Sequence, residues 1–275
     1  MPLNIEEKRG KKRESMNNKK GSKRAQITIF VIIAIVLVAG ILGLIFYKDI
    51  KKFIAPTIND FLPADCLQES VKDILTQTAM RGGLIEPELY FRYNNETINY
   101  LCYTSEWYKT CTMQTPLLKQ SIENEVNANA KAKMRNCIEG MKKNLESRGY
   151  SVKTTGTGDS NIVIIPKKIV ITSDLTMTLQ KGDETQTIPS SRLTTDFDSN
   201  AYELVMIASS IQNYEARYGD SSIDTYMGFY PNIKVEKYKQ DDGTKVYIIT
   251  DRTSGEKLQF ATRSLAWPPG YYATP

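Results

Sequence analysis

The residue types that carry most catalytic chemistry are scarce in this chain of 275 residues. It has no histidine, which removes the usual proton shuttle, a common neutral metal ligand and the base that most often activates a serine or cysteine nucleophile. Cysteines and carboxylates are the remaining candidates for chemistry. From their spacing the sequence predicts neither a catalytic centre nor a cofactor.

The four cysteines, Cys66, Cys102, Cys111 and Cys137, are an even number, which indicates disulfides if this part of the chain lies outside the cytosol. Four cysteines allow three pairings. We favour Cys66–Cys137, because these two residues lie on the predicted helices best suited to pack together, and Cys102–Cys111, which closes a local loop. A four-cysteine zinc site is the alternative, but the spacings contain no C-x-x-C knuckle.

Two short motifs resemble functional sites, and for both a structural role explains the residues better. Asp196, Asp198 and Asn200 have the spacing that begins a calcium loop, but the glycine and glutamate that such a loop needs further on are missing. Helix capping accounts for these residues. Ser254 and Lys257 have the spacing of a Ser-Lys nucleophile pair, yet they lie in a predicted hairpin turn rather than on a helix. No metal site is predicted.

Two turn regions carry further motifs. The glycine alternation at 155–159 lacks the lysine and the strand–loop–helix context of a phosphate loop, so it predicts a flexible turn. Residues 88–103 predict a β-hairpin about Asn94 and Asn95, since asparagine tolerates the positive φ of such turns. Asn95 also begins an Asn-Glu-Thr sequon, which makes it a candidate glycosylation site.

Three aromatic groups are candidates either for partner contacts or for ordinary packing. They are residues 107–108, residues 226–230 and the C-terminal group that contains Trp267, Tyr271 and Tyr272. Aromatic side chains are common at interfaces because they offer a large contact area at little entropic cost. If one surface recognises a partner, we expect the proline-flanked C-terminal group to provide it.

The elements that position these residues predict an α+β fold. Residues 65–149 predict a lobe of helices and one hairpin, held by the disulfides, whose long apolar stripe over 115–149 is weak at 127–131 and could break there. From residue 150 β-branched runs separated by Gly, Pro and Asp predict a β-rich lobe that extends to residue 275. One helix, near 200–219, interrupts that lobe.

The N-terminal region predicts a membrane anchor. Residues 1–25 hold nine Lys or Arg and three acidic residues, whereas the 22 residues 26–47 hold no charge. As a helix, 26–47 would be about 33 Å long, enough to span a hydrocarbon core of about 30 Å. The basic leader predicts a cytoplasmic N-terminus and an extracytoplasmic bulk, joined by a stalk at 48–64. This explains the leader better than nucleic-acid binding does.

The junction between leader and apolar segment resembles the class III, prepilin-type signal of archaeal pilin-like proteins. The resemblance rests on Lys23-Arg24-Ala25 followed by Gln26-Ile-Thr-Ile-Phe30, and it implies cleavage by a prepilin-type peptidase between Ala25 and Gln26. Phe30 stands where many pilins have glutamate. The remainder resembles uncharacterised membrane-anchored surface proteins of small-genome archaea, which imply no known activity.

Three functions are compatible with this organisation. The first is a single-pass cell-surface protein whose ectodomain binds an envelope component or another surface partner, or has a structural role. The second is a pilin-like filament subunit that self-associates through its apolar helix. The third is an envelope hydrolase that uses paired carboxylates in place of histidine. The sequence favours the first, a non-enzymatic protein of the cell membrane with its C-terminal bulk outside.

Overall fold

The computed structural model describes residues 32–38, 41 and 64–266, and over 64–266 the chain is α+β. Four α-helices are present there: α1 (Ala64–Met80), α2 (Leu118–Ser147), α3 (Ala201–Tyr218) and α4 (Ile223–Phe229). The strands, in chain order, are β1 (Tyr90–Tyr93), β2 (Glu96–Tyr103), β3 (Thr112–Met113), β4 (Ser151–Thr155), β5 (Ser160–Ile165), β6 (Lys168–Ser173), β7 (Thr176–Lys181), β8 (Glu184–Ile188), β9 (Thr195–Asp198), β10 (Ile233–Lys239), β11 (Thr244–Asp251) and β12 (Lys257–Arg263). A short 3₁₀ helix, Ser190–Leu193, precedes β9.

The predicted transmembrane helix at 26–47 is the main correction to the expected fold class. Of this segment, residues 32–38 and 41 are described, and all are helical. In the described part of the chain no helix is both long enough and apolar enough to cross a membrane. The other residues of 26–47, the leader 1–25 and most of the stalk lie outside the described residues.

The largest sheet holds six strands. Its order is β1-β2-β12-β11-β10, and β3 pairs with β2 as a branch from this order. All neighbours are antiparallel except β12 and β2, which are parallel. The hairpin of β1 and β2 is confirmed: Asn94 and Asn95 connect the strands with φ of 49° and 67°, the left-handed values that a two-residue turn requires.

The two faces of the six-stranded sheet alternate as strand geometry requires. Tyr247 and Ile249 of β11 face the main core together with helix residues, whereas Val246 packs on the opposite face with Ile98. The rings of Tyr247 and Phe260 stack within the main core, with centroids 5.3 Å apart. This face of the sheet therefore supports the helices.

Helix α2 is continuous through the weak stretch at 127–131, because side chains there bond to a neighbouring strand instead of ending the helix. The Asn127 side chain accepts a hydrogen bond from the Ile162 backbone N–H at 2.8 Å and donates one to the Ile162 carbonyl at 3.1 Å. Glu123 accepts from the Ile164 N–H at 2.7 Å. Strand β5 is an edge of its three-stranded sheet, β5-β6-β9, and these contacts satisfy backbone groups that an edge leaves open.

One hydrophobic core extends across position 150, where the sequence analysis divides two lobes. The core cluster contains Leu118 and Met134 of α2, Ile162 and Ile169 of the following strands, and Phe260 of β12. Residues 64–266 belong to a single compact unit. The change at residue 150 is therefore a change of secondary structure within a shared core.

Both disulfides favoured from the sequence are present. Cys66 of α1 is bonded to Cys137 of α2, with Cα atoms 6.0 Å apart. Cys102 of β2 is bonded to Cys111, which precedes β3, with Cα atoms 5.4 Å apart. The first bond joins two packed helices, and the second closes the loop between two paired strands.

The two disulfides predict different losses of stability when each is removed. In the chain-entropy description, the 71-residue separation of Cys66 and Cys137 gives about 4 kcal/mol. The nine-residue separation of Cys102 and Cys111 gives about 2.7 kcal/mol. We expect the C66S/C137S double variant to unfold at lower urea concentration than the matched C102S/C111S variant. The reverse order would contradict loop length as the determining factor.

Candidate functional site

The calcium-like residues do not form a metal site. Asp196 pairs with Lys168 across β9 and β6, with the two atoms 2.5 Å apart, and this contact raises the pKa of Lys168. The Asn200 side chain donates a hydrogen bond to the Asp251 carboxylate and accepts one from the Lys167 amine. Within residues 64–266 the structure contains no group of three or more His, Cys, Asp or Glu side chains that could hold a metal ion.

Ser254 and Lys257 do not form a nucleophile pair. The Ser254 hydroxyl donates to Glu256 at 3.1 Å, in the turn between β11 and β12. Glu256 also accepts from the Asn200 backbone N–H at 2.6 Å and from the Ser199 hydroxyl at 2.7 Å. Its carboxylate therefore caps the beginning of α3 from another part of the chain, a stabilising place for negative charge.

The glycine alternation at 155–159 connects β4 to β5, and side-chain hydrogen bonds and ion pairs hold it in place. Thr157 donates through both its backbone N–H and its hydroxyl to Asp174, which lowers the pKa of Asp174. Asp159 pairs with Lys131 of α2 at 2.6 Å and with Arg135 at 3.4 Å. The bond from Lys131 is the main cause of the lowered pKa of Asp159.

The remaining sequence candidates fall in different parts of the chain. Asn95 is exposed in the β1–β2 turn, and its glycosylation stays a prediction. Ala25 and Gln26, the predicted processing site, lie outside the described residues, as do Trp267, Tyr271 and Tyr272.

A cleft of about 450 Å³ lies between α3 and α4 and is the strongest candidate site. It is lined only by aromatic and hydroxyl side chains: Ser210, Tyr214, Ser221, Ser222, Thr225, Tyr226, Phe229 and Tyr230. The hydroxyls of Tyr226 and Ser210 share a hydrogen bond of 3.0 Å, which holds the buried Tyr226 ring between the two helices. This volume is in the range of small-molecule sites.

The aromatic side chains of the cleft are exposed to an unusual degree for large apolar groups. Phe229 is 79% exposed, Tyr214 50% and Tyr230 45%. The Tyr214 ring also packs against Tyr218, with centroids 5.4 Å apart. Exposed apolar groups gathered in one place indicate an interaction site more often than scattered ones do.

Ser221 gives the cleft an unsatisfied polar group. Its side chain is buried, and the hydroxyl has no hydrogen-bond partner within residues 64–266. The backbone of Ser221 is bonded on both sides, by its N–H to Glu215 and by its carbonyl to Lys237. A buried polar atom without a partner is uncommon in folded proteins and calls for an explanation.

The cleft is positioned by a buried ionic network at the end of α3. The Glu215 side chain has an exposure of 0%. Its carboxylate accepts hydrogen bonds from the Lys245 amine at 2.6 Å, from the Tyr247 hydroxyl at 2.5 Å and from the Ser221 backbone N–H at 3.2 Å. Lys245 also donates to the carbonyl of Gly219. The network thus fixes the turn between α3 and α4 to strand β11.

Gly219 is required where α3 ends. Its φ is +84°, and a Cβ atom there would lie 2.5 Å from the Cβ of Ala266. A larger residue would therefore suffer both backbone strain and a steric clash. This turn leads directly into the residues that line the cleft.

Burial and nearby charges shift the pKa values of this network in opposite directions. Desolvation raises the pKa of Glu215 against the attraction of Lys245, and it raises the pKa of Tyr247 well above its ordinary value. Desolvation also opposes the charged form of Asp220. The nearby lysines, Lys245 first and then Lys237, outweigh this desolvation and lower the pKa of Asp220.

A second cavity, of about 280 Å³, lies beside α1, α3 and the β11–β12 turn. Its walls are mainly aliphatic, and the carboxylate at its edge, Glu256, is already bonded to the start of α3. It therefore offers a ligand less hydrogen-bonding capacity than the aromatic cleft does.

The sequence predicts one part of the cleft and not the rest. Residues 226–230 are one of its three aromatic groups, whereas Tyr214 belongs to none of them and α4 is not predicted. The only available signal was the run of serines and aromatic residues around 221–230. No protein-family model, curated protein or solved structure matches the chain.

The ionic network predicts strong destabilisation when one partner is removed. Lys245→Met leaves the Glu215 carboxylate buried without its cation, and we expect a loss of about 3–5 kcal/mol in the free energy of unfolding. Adding Glu215→Gln should recover most of this loss, since the amide oxygen can still accept from Tyr247 and Ser221.

Urea unfolding of the full-length protein measures both variants. Lys234→Met is the matched control, because Lys234 pairs with Glu236 in an exposed position, where such pairs contribute about 0–1 kcal/mol. A loss for Lys245→Met no larger than for Lys234→Met would show that the buried pair does not hold the turn.

Proposed function

We propose that this protein is an extracytoplasmic binding protein of the cell envelope and that its aromatic cleft is the binding site. The observation that carries the proposal is the pairing of all four cysteines in two disulfides. Disulfides of this kind persist in oxidising compartments and are rare in the cytosol. They support an extracytoplasmic location without reference to the N-terminal segment.

The side chains of the cleft favour binding over catalysis. Its lining residues carry hydroxyl and aromatic groups and include no carboxylate, amine or thiol. The nearest buried carboxylate, Glu215, is fully committed to Lys245, Tyr247 and the Ser221 N–H. A hydrolase that relied on carboxylates would need two of them facing the same ligand.

The location is tested by counting free thiols in intact cells. Cells are treated with N-ethylmaleimide before lysis, and the mass of the purified protein is measured before and after reduction and a second alkylation. We expect no label before reduction and four labels after it, because all four cysteines are paired. Label added before reduction would contradict the proposal.

Two controls make the count interpretable. The C102S/C111S variant should gain two labels after reduction, which verifies the counting. Protease added to intact cells should cleave the protein while sparing a cytosolic marker. Survival of the protein under conditions that digest a known surface protein would also count against an extracytoplasmic location.

A further inference from the structure

We propose that the ligand of the α3–α4 cleft is a neutral carbohydrate. The inference deepens the function proposed above by naming the ligand class, and it rests on that function. Four features of the cleft carry it: exposed aromatic rings, a high density of hydroxyls, the absence of charge from the lining, and the unpartnered hydroxyl of Ser221.

The aromatic rings provide surfaces for the apolar faces of sugar rings. A pyranose presents C–H groups on its faces and hydroxyls around its edge, so it packs face-on against an aromatic ring. Phe229, Tyr214 and Tyr230 are exposed rings that border the same cleft. Their stiff side chains lose little entropy on binding.

The hydroxyls of the cleft match the edges of a sugar. Ser210, Ser222, Thr225 and Tyr226 all line it, and each hydroxyl can both donate and accept a hydrogen bond. Sugar hydroxyls have the same dual capacity. A surface that binds an apolar peptide side chain would have no use for so many groups of this kind.

The absence of charge selects against other polar ligands. None of the eight lining residues is ionisable near neutral pH. A phosphate, a nucleotide or an acidic sugar would be desolvated in the cleft without a cation to pair with, at a large cost. Asp220 of the adjoining turn is already paired with Lys237 of β10 at 2.8 Å.

Ser221 offers a ligand an unpaired hydroxyl, one of four such buried hydroxyls among the described residues and the one that lines the cleft. Its hydroxyl is buried and has no partner among the described residues, although its backbone is fixed on both sides. A ligand hydroxyl that enters the cleft would supply the missing bond. This accounts for a polar atom that contributes nothing to the fold.

The volume of the cleft suits a small ligand. It measures about 450 Å³, within the range of about 300–1,000 Å³ found for small-molecule sites. A few sugar units at the end or along the side of a longer polysaccharide fit a site of this size.

The test uses purified full-length protein and saturation-transfer NMR with maltotriose, cellotriose and mannotriose, with trigalacturonic acid as the charged counterpart. We expect at least one neutral trisaccharide to bind and the acidic one to fail. Phe229→Ala and Tyr230→Ala should each weaken binding about tenfold, the loss expected for one aromatic contact. Tyr90→Ala is the matched control, since Tyr90 is 47% exposed and Tyr230 45%.

Ser221→Ala separates a binding role from an idle hydroxyl. We expect it to weaken sugar binding several-fold, in line with the loss of one hydrogen bond, while the midpoint of urea unfolding stays unchanged or rises. If affinity is unchanged, Ser221 has no part in the site and this support for the proposal is lost.

Three results would overturn the proposal. They are failure of all three neutral trisaccharides to bind, equal losses for Tyr230→Ala and Tyr90→Ala, and concentration-dependent dimerisation that Phe229→Ala abolishes, which would identify a second copy of the chain as the occupant. None of them alters the thiol count in intact cells. Failure of the carbohydrate proposal is therefore distinguishable from failure of the proposed location.

Discussion

The buried carboxylate of Glu215 is the constraint on which the candidate site depends. A charge with 0% exposure is tolerable only if its hydrogen-bonding capacity is filled, and here an amine, a phenol and a backbone N–H fill it. Because these donors come from β11 and from the turn after α3, satisfying the charge also determines where that turn runs. The orientation of α4, and with it one wall of the aromatic cleft, follows from an electrostatic requirement inside the core.

The rest of the fold supports that arrangement by giving the helices fixed surfaces to pack on. The six-stranded sheet provides one, and the Cys66–Cys137 disulfide ties α1 to α2. Helix α2 has a second role, since Glu123 and Asn127 bond to the open edge of β5. An edge strand that would otherwise be available to another chain is thereby covered from within. The helices thus serve both as core and as edge protection.

Local sequence signals predicted the local parts of this structure. Asn94 and Asn95 indicated the hairpin because their positive φ is a property of the residues themselves, and β-branched runs indicated the strands after residue 150. Helix α4 was missed because its seven residues include Gly228 and Thr225, which disfavour helix, and because Tyr226 is its one buried residue. The cleft could not be predicted, because Tyr214 of α3, Ser221 and Phe229 of α4 line it together only in the folded chain. The transmembrane prediction was wrong for the described chain, in which no helix is both long enough and apolar enough to cross a membrane.

The parallel pairing of β2 with β12 places Tyr100 beside Ala261, so the middle of the largest sheet is assembled from the two ends of the described domain. During synthesis β2 emerges long before its neighbour exists, and contacts so distant in sequence form slowly. Until the last strand is released, the edge of β2 that pairs with β12 has no partner. Completion of the largest sheet therefore waits until β12 has been synthesised.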